Sequence, residues 1–155
     1  MNREQSGPHR VLFLCTGNYY RSRFAEILFN ELASESQLNW IAFSRALAID
    51  RGAGNIGAIS LHTRAACKAR GIVIPEPIPF PRGATTDDFA AAGRIIALKE
   101  AEHRPHIQAR FSDWGARVEY WHVHDLDAGQ PEDACAQIES HVRELIVRLG
   151  GKGNG

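Results

Sequence analysis

The sequence predicts an α/β domain in which helices cover both faces of a four-stranded parallel sheet, forming a three-layer sandwich. Three observations predict this fold class. The chain has 155 residues, of which 44% are apolar and 23% charged, the size and balance of one globular domain. Four short apolar runs alternate with segments of helical periodicity, and parallel strands need such crossovers. The first run is apolar at consecutive positions, as in strands buried on both faces.

The first half of the chain predicts two strands, each followed by a helix. Residues 10–15 form a continuous apolar run and predict the first strand. Residues 21–34 carry apolar side chains at helical spacing and predict a helix that begins shortly after it. Residues 40–44 predict the second strand. Residues 59–70 predict a second amphipathic helix, which Gly71 ends.

The second half continues the alternation and ends in a long helix. The predicted elements are, in order, a proline-containing loop at 72–82, a short capped helix at 85–92, a strand at 94–98, a helix at 100–108, a strand at 117–123 and a helix at 131–150. Pro105 is expected to interrupt the fourth helix or to delay its start.

One domain accounts for the chain. We expect a flexible leader at 1–9, the domain at 10–150 and a flexible tail at 151–155. The polar start does not fit a secretory signal, and no apolar run approaches the roughly 18 residues of a membrane span. We therefore expect a cytoplasmic protein with no membrane partner.

Charge and cysteine content narrow the function classes further. Basic and acidic residues both number 18, so no strong basic field predicts nucleic-acid binding. The three cysteines, Cys15, Cys67 and Cys135, are widely spaced and odd in number, which fits neither a disulfide framework nor a paired metal motif. A reduced compartment is the simpler interpretation.

The segment from Cys15 to Arg21 carries the clearest chemical signal. Its spacing alone is weak evidence, but its context is informative. The cysteine ends a strand at the sheet edge where parallel folds bind ligands, and the arginine begins a helix. Gly17 and Asn18 tolerate left-handed backbone. Such a loop can turn backbone N–H groups towards an anion, with the positive end of the helix dipole behind them.

This loop predicts a phosphate-binding site with a nucleophilic cysteine. The same field favours the thiolate of Cys15, and the planar fork of Arg21 can hold two phosphate oxygens. Ser22 is placed to donate a hydrogen bond to the sulfur. We expect the remaining loop residues to bind the substrate phosphate: Thr16, Gly17, Asn18, Tyr19, Tyr20 and Ser22.

Residues 11–22, VLFLCTGNYYRS, resemble the active-site segment of the low-molecular-weight protein tyrosine phosphatases. The resemblance extends along most of the chain: residues 44–47 resemble the family's segment after strand two, and residues 122–125 its exit from strand four. It implies a sheet order of 2-1-3-4 and hydrolysis of phosphotyrosine or related aryl phosphomonoesters. It further implies a phosphocysteine intermediate, no metal and no cofactor. The expected partner is a phosphorylated protein or a small phosphoester.

The resemblance also implies roles outside the loop. Asp125 falls at the position of the general acid, and Ser44, together with Asn18, at positions that brace the loop. Asp127 lies two residues beyond Asp125 and stays open as an alternative acid. Asp125 is favoured because it follows the strand directly.

Several positions depart from the family pattern. Tyr20 replaces a cysteine that is common in the loop, so no neighbouring disulfide is expected to protect Cys15. Arg23 stands where the family usually has proline. The residues after Asp125 lack the usual proline and aromatic pair, so the aromatic wall beside the substrate ring is missing there. Tyr19 or Trp121 is an alternative wall.

Two other functions share the same loop. An arsenate reductase would need further accessible thiols to relay oxidation, whereas Cys67 and Cys135 are expected to be buried in the core. A non-catalytic phosphate-binding module would keep the loop without turnover. Two further patterns are interpreted as incidental: the glycines at 52–57 as an ordinary loop, not a dinucleotide site, and the histidines near His122 as non-ligating.

Overall fold

The computed structural model describes residues 7–52, 54–123 and 131–151. In this part of the chain, four strands form one parallel sheet in the order β2-β1-β3-β4, which confirms the expected order. The strands are β1 (His9–Cys15), β2 (Trp40–Ala46), β3 (Arg94–Ala97) and β4 (Val118–Tyr120). Because the central strand β1 pairs on both sides, its carboxyl end lies in the middle of the sheet edge.

Within the described residues, five α-helices connect or follow these strands. They are α1 (Arg21–Glu35), α2 (Leu61–Ala69), α3 (Thr86–Ala91), α4 (Glu100–Arg110) and α5 (Pro131–Arg148). In the same described ranges, two short 3₁₀ helices lie at Ile49–Gly52 and Ser112–Arg117. Among the described helices, none has both the length and the apolar character needed to cross a membrane.

The continuous apolar run of β1 is explained by two separate cores. Val11 and Phe13 face one layer, in which α1, α2 and α5 pack on the sheet. Leu12 and Leu14 face the other layer, with α3 and α4. All four side chains are fully buried. Since successive side chains of a strand point to opposite faces, only a strand covered on both sides can be apolar at every position.

The helix boundaries follow local backbone chemistry. After α2, Gly71 has a φ of 71°, its N–H donates to the carbonyl of Lys68, and the Ile72 N–H donates to that of Cys67. This pair of bonds is a Schellman motif, which needs the left-handed backbone that glycine allows. At the start of α3, the side chains of Thr85 and Asp88 form a reciprocal capping box.

Two expected elements differ from the structure. The fourth strand is shorter, because residues 112–117 form a 3₁₀ helix before it and His122 forms an antiparallel bridge after it. The expected interruption at Pro105 is wrong, because α4 continues through it from Glu100 to Arg110. The buried side chains of His103 and Ile107 anchor this helix, so tertiary packing compensates for the backbone hydrogen bond that proline cannot donate.

Candidate active site

The loop between β1 and α1 turns its carbonyl groups outwards. The carbonyls of Cys15 and Thr16 accept hydrogen bonds from the N–H groups of residues 47 and 48, at 2.9 and 3.0 Å. The carbonyl of Tyr19 accepts from the N–H of residue 60 at 3.0 Å. In a trans peptide the N–H points opposite to the carbonyl. The N–H groups that follow these carbonyls therefore point away from those partners, as a phosphate cradle requires.

Asn18 is the residue that shapes the loop from behind. Its φ of 53° is in the left-handed region, as expected for one of the two loop residues that tolerate it. Its amide nitrogen donates to the hydroxyls of Ser22 and Ser44, each at 2.9 Å. Its amide oxygen accepts from the backbone N–H of Arg82 at 3.1 Å. The buried amide thus holds three separate segments together.

These bonds orient the protons of both serines. Because Asn18 donates to each hydroxyl oxygen, each serine must direct its own proton elsewhere. The Ser22 oxygen lies 3.0 Å from the sulfur of Cys15, so its proton can stabilise a thiolate. The Ser44 hydroxyl donates to the carboxylate of Glu26 at 2.5 Å. A continuous polar chain therefore runs from Glu26 to Cys15.

Glu26, a residue of α1, is the last member of this chain of hydrogen bonds. Burial raises the pKa of its carboxyl group, an effect that the Ser44 hydroxyl and the nearby arginines oppose only in part. Arg23 is the nearest of these arginines, with 3.8 Å between its Nε and a carboxylate oxygen of Glu26. Its guanidinium also donates to the carbonyls of Pro79, at 2.9 Å, and Ala58, at 3.5 Å. Arg23 thus ties two loops to α1.

A second carboxylate, Glu102, lies in front of the loop. It belongs to the first turn of α4, which begins just after β3 ends, so the sheet brings it to the same edge as Cys15. Its Oε2 accepts a hydrogen bond from Nη2 of Arg21 at 2.8 Å and another from the Thr16 hydroxyl. The Arg21 side chain is only 5% exposed and that of Glu102 28%. A largely buried ion pair therefore includes the arginine of the loop.

His103 supports this carboxylate from the core. Its ring is fully buried, and the backbone N–H of Lys99 donates to Nδ1 at 3.0 Å. The ring proton therefore sits on Nε2, which lies 3.2 Å from Oε2 of Glu102, although the N–H is not well aligned for a hydrogen bond. Burial lowers the pKa of His103, so the ring is neutral at physiological pH.

The charge of Glu102 follows from these neighbours. Burial opposes ionisation of its carboxyl group, but the contacts with His103, Arg21 and Thr16 outweigh burial and hold its pKa well below the usual range. The side chain of Glu102 is therefore an ionised carboxylate at neutral pH, and it lies beside the guanidinium of Arg21. A phosphate bound at Arg21 would lie close to this ion pair.

The two loop tyrosines take different positions. Tyr20 is buried, and its hydroxyl lies 3.6 Å from the sulfur of Cys135. Tyr19 is partly exposed and donates to the carbonyl of Ile56 at 2.5 Å, so the glycine-rich segment at 54–57 borders the loop. Trp121 stacks on His141 and packs against Phe13, so its ring is engaged by the core. Tyr19 and Trp121 are the two side chains expected to form an aromatic wall. Of these two, Tyr19 is the one that lies on the loop between β1 and α1.

The other two cysteines belong to the core, as expected. Cys67 and Cys135 are free thiols with 0% and 1% exposure. Burial raises the pKa of the Cys67 thiol to about 11 and also raises that of Cys135. Buried, protonated thiols are poor partners for disulfide exchange.

Two further sequence expectations concern the general acid and the absence of a metal site. Asp125 and Asp127 lie outside the described residues, so the identity of the acid stays a prediction. Among the residues that the structure describes, no cluster of three His, Cys, Asp or Glu side chains could hold a metal ion.

A family model matches residues 10–154 of the chain: low molecular weight phosphotyrosine protein phosphatase. The chain belongs to this family. It is therefore a cysteine-dependent phosphatase acting on phosphoric monoesters. No curated protein sequence matches the chain.

Solved structures of several other proteins share the fold. The low molecular weight protein tyrosine phosphatase SP-PTP of Streptococcus pyogenes has a TM-score of 0.77 at 20% identity, covering 93% of this chain and 95% of its own. YfkJ of Bacillus subtilis has a TM-score of 0.78 at 23% identity, covering 94% and 97%. YwlE of Bacillus subtilis, described as an arginine phosphatase, has a TM-score of 0.73 at 21% identity, covering 90% and 95%.

Sequence reasoning missed both carboxylates of the site. Glu26 follows the loop on α1 and, with Ala25, belongs to the stretch that resembles the family, but the resemblance assigned it no role. Glu102 lies in a helix that was expected only as a structural element. One signal could have found it: Glu102 belongs to the first helical turn after β3, and in parallel sheets ligand-contacting side chains collect beyond the carboxyl ends of strands.

Proposed function

We propose that this phosphatase hydrolyses phosphotyrosine or related aryl phosphomonoesters through a phosphocysteine intermediate on Cys15. The observation that supports this most directly is the contact between the Cys15 sulfur and the Ser22 hydroxyl, 3.0 Å apart, at the end of a loop with outward carbonyls. Once Cys15 loses its proton, a hydroxyl at this distance can donate to the sulfur and stabilise the thiolate, and the thiolate is the nucleophile.

The reaction has two steps. In the first, the thiolate of Cys15 attacks phosphorus, an S–P bond forms, and the P–O bond to the leaving group breaks. The leaving oxygen receives a proton from the general acid, for which we propose Asp125. In the second step water attacks phosphorus, the S–P bond breaks, and the Asp125 carboxylate accepts a proton from that water. Inorganic phosphate leaves, and Cys15 is again a thiolate.

The loop binds the phosphoryl group during both steps. Backbone N–H groups of residues 16–21 hold its oxygens, and the Arg21 guanidinium stabilises charge on the transferring group. Asn18 and Ser44 keep the loop in shape through the hydrogen bonds described above. Tyr19 is the aromatic side chain of the loop that can line the entrance for a substrate ring.

Substitution of Cys15 by serine tests the nucleophile. The Cys15→Ser protein should lose turnover of p-nitrophenyl phosphate and still bind phosphate or tungstate, because backbone groups and Arg21 form the anion site. Binding is measured by isothermal titration calorimetry. Turnover above a trace level in the pure variant would remove Cys15 from the role of nucleophile.

A pair of substitutions tests the acid. Asp125→Asn should slow the cleavage of phosphotyrosine by a factor on the order of 100 and that of the activated nitrophenyl ester by less, since proton donation contributes about two to four powers of ten. Asp127→Asn should not change this dependence on the leaving group. The reverse pattern would assign the acid to Asp127.

A turnover panel tests the substrate class. Phosphotyrosine peptides should be hydrolysed faster than small alkyl phosphoesters and phosphoarginine peptides. Arsenate with a thiol reductant should give no steady turnover, because the Cys67 and Cys135 thiols are buried. A preference for phosphoarginine or arsenate would replace the aryl phosphomonoester proposal.

We also propose that the protein acts in the cytoplasm. A catalytic thiolate must stay reduced, and the three free cysteines fit a compartment in which thiols are kept reduced.

A further inference from the structure

The ion pair in front of the phosphate loop joins the arginine to a second point of the loop. One carboxylate oxygen of Glu102 accepts from Nη2 of Arg21 at 2.8 Å and from the hydroxyl of Thr16. Thr16 directly follows Cys15, and Arg21 is the first residue of α1. The two ends of the loop are therefore connected through a side chain of α4, which is more than 80 residues away in the sequence.

The carboxylate is itself held in place. Its helix begins with a hydrogen bond from the N–H of Glu100 to the carbonyl of Trp121 at 3.1 Å. The buried ring of His103, fixed by the backbone N–H of Lys99, presents Nε2 at 3.2 Å from the Glu102 oxygen. Glu102 thus belongs to an anchored helix and lies beside a buried ring that is itself held in place.

A guanidinium as buried as that of Arg21 needs such a partner. A buried charge without compensation is strongly unfavourable, and a long arginine side chain can adopt many rotamers. The contact with Glu102 uses one of the five guanidinium N–H groups and thereby selects one orientation of the planar fork. Because the fork must match two oxygens of the transferring phosphoryl group, a small rotation would weaken its interaction with the transition state.

We propose that Glu102, supported by His103, is a positioning residue that holds the Arg21 guanidinium in the orientation required for phosphoryl transfer. This inference rests on the proposed reaction at Cys15. Glu102 acts through Arg21 and Thr16 and exchanges no proton with the substrate. It therefore contributes mainly to the rate of the chemical step and little to binding of the substrate before reaction.

The first test compares Glu102→Gln with a matched control, Glu139→Gln. Glu139 accepts from Nε of Arg70 at the same distance, 2.8 Å, and its side chain is 26% exposed, but the pair lies between α2 and α5. For Glu102→Gln we expect kcat with p-nitrophenyl phosphate to fall about 10- to 100-fold while KM changes less than about 3-fold. Tungstate affinity should fall with kcat, and phosphate affinity should fall less. The control should keep kcat within about 2-fold of wild type.

The second test asks whether Glu102 acts through Arg21. In a double-mutant cycle on kcat/KM, Glu102→Gln should have little further effect in the Arg21→Lys background, since the fork that it positions is absent. Additive effects would overturn the proposal, as would a Glu102→Gln kcat within 2-fold of wild type. If the glutamine variant does not fold, Glu102→Asp gives the same tests: it keeps the charge at a shorter reach and should have an intermediate kcat.

Failure of this inference is distinguishable from failure of the proposed reaction. Suppose that wild type hydrolyses the substrate, Cys15→Ser does not, and Glu102→Gln has the kcat of wild type. The proposed reaction would then be supported, and the positioning role of Glu102 would be overturned. Equal losses of kcat in Glu102→Gln and Glu139→Gln would indicate a general stability effect and would also overturn the positioning role.

Discussion

Two glutamates flank the phosphate loop, and their charge states are held in opposite ways. Glu26, behind the loop, accepts a hydrogen bond from one neutral hydroxyl, and its nearest arginine is 3.8 Å away, so burial raises its pKa. Glu102, in front, accepts from a guanidinium at 2.8 Å and from a hydroxyl, and its pKa is lowered in spite of burial. The two glutamates thus differ in the direction of their pKa shifts because their hydrogen-bond partners differ.

The difference separates two tasks of the site. The back region, from Glu26 through Ser44 and Asn18 to Ser22, consists of hydrogen bonds that shape the loop and reach the sulfur of Cys15. The front region holds the guanidinium of Arg21, which we propose to face the transferring phosphoryl group. Substitutions in the two regions are therefore expected to affect the reaction differently.

Arg21→Lys breaks the front region and should have the largest effect. A lysine ammonium is a point charge that cannot hold two phosphoryl oxygens in one plane, so kcat should fall by a factor on the order of 1,000. Steady-state kinetics with p-nitrophenyl phosphate measures this. A rate near that of wild type would show that the phosphoryl clamp lies elsewhere.

Asn18→Gly breaks the back region without straining the backbone. Glycine accepts the φ of 53°, so the variant removes only the side chain and its three hydrogen bonds. We expect the free energy of unfolding to fall by about 1–3 kcal/mol and kcat to fall about 10-fold or more, because buried partners lose their hydrogen bonds. Urea unfolding and kinetics test both effects. Asn18→Ala should be less stable still, since alanine disfavours positive φ.

The two glutamates should affect stability against acid with opposite signs. The pKa of Glu102 is lower in the folded state than in the unfolded state, so its stabilisation is present above about pH 4.5 and is lost as pH falls. The pKa of Glu26 is raised, so its ionisation destabilises the fold as pH rises above about 4.5. Urea unfolding between about pH 3.5 and 7 should therefore show a flatter rise of stability with pH in Glu102→Gln and a steeper rise in Glu26→Gln. Changes of the same sign would contradict this difference.

The two core cysteines should matter least for turnover. Cys67→Ala and Cys135→Ala should keep kcat within about 2-fold and lose about 1–2 kcal/mol of stability through cavities. In the native protein neither thiol should react quickly with Ellman's reagent near pH 8, because both are buried. Loss of phosphatase turnover in either variant would show that the thiol serves the site.

Local patterns predicted most of the fold. The apolar run of β1, the glycine after α2 and the cap of α3 each depend on residues close together in sequence, and the structure confirms them. The exceptions are the length of β4 and the helix through Pro105. Both depend on packing against distant elements, which a local pattern does not contain.

The candidate loop could be found from the sequence alone, because its cysteine, asparagine, arginine and serine lie within eight consecutive residues between a strand and a helix. Which carboxylates adjoin that loop, and which of them is held ionised, follows from the folded chain and from no local pattern. Glu102 reaches Arg21 because β3 lies beside β1 in a parallel sheet, so that the first turn of α4 begins at the same edge. A charge state depends on burial and on partners within a few ångströms, and these are properties of the folded chain.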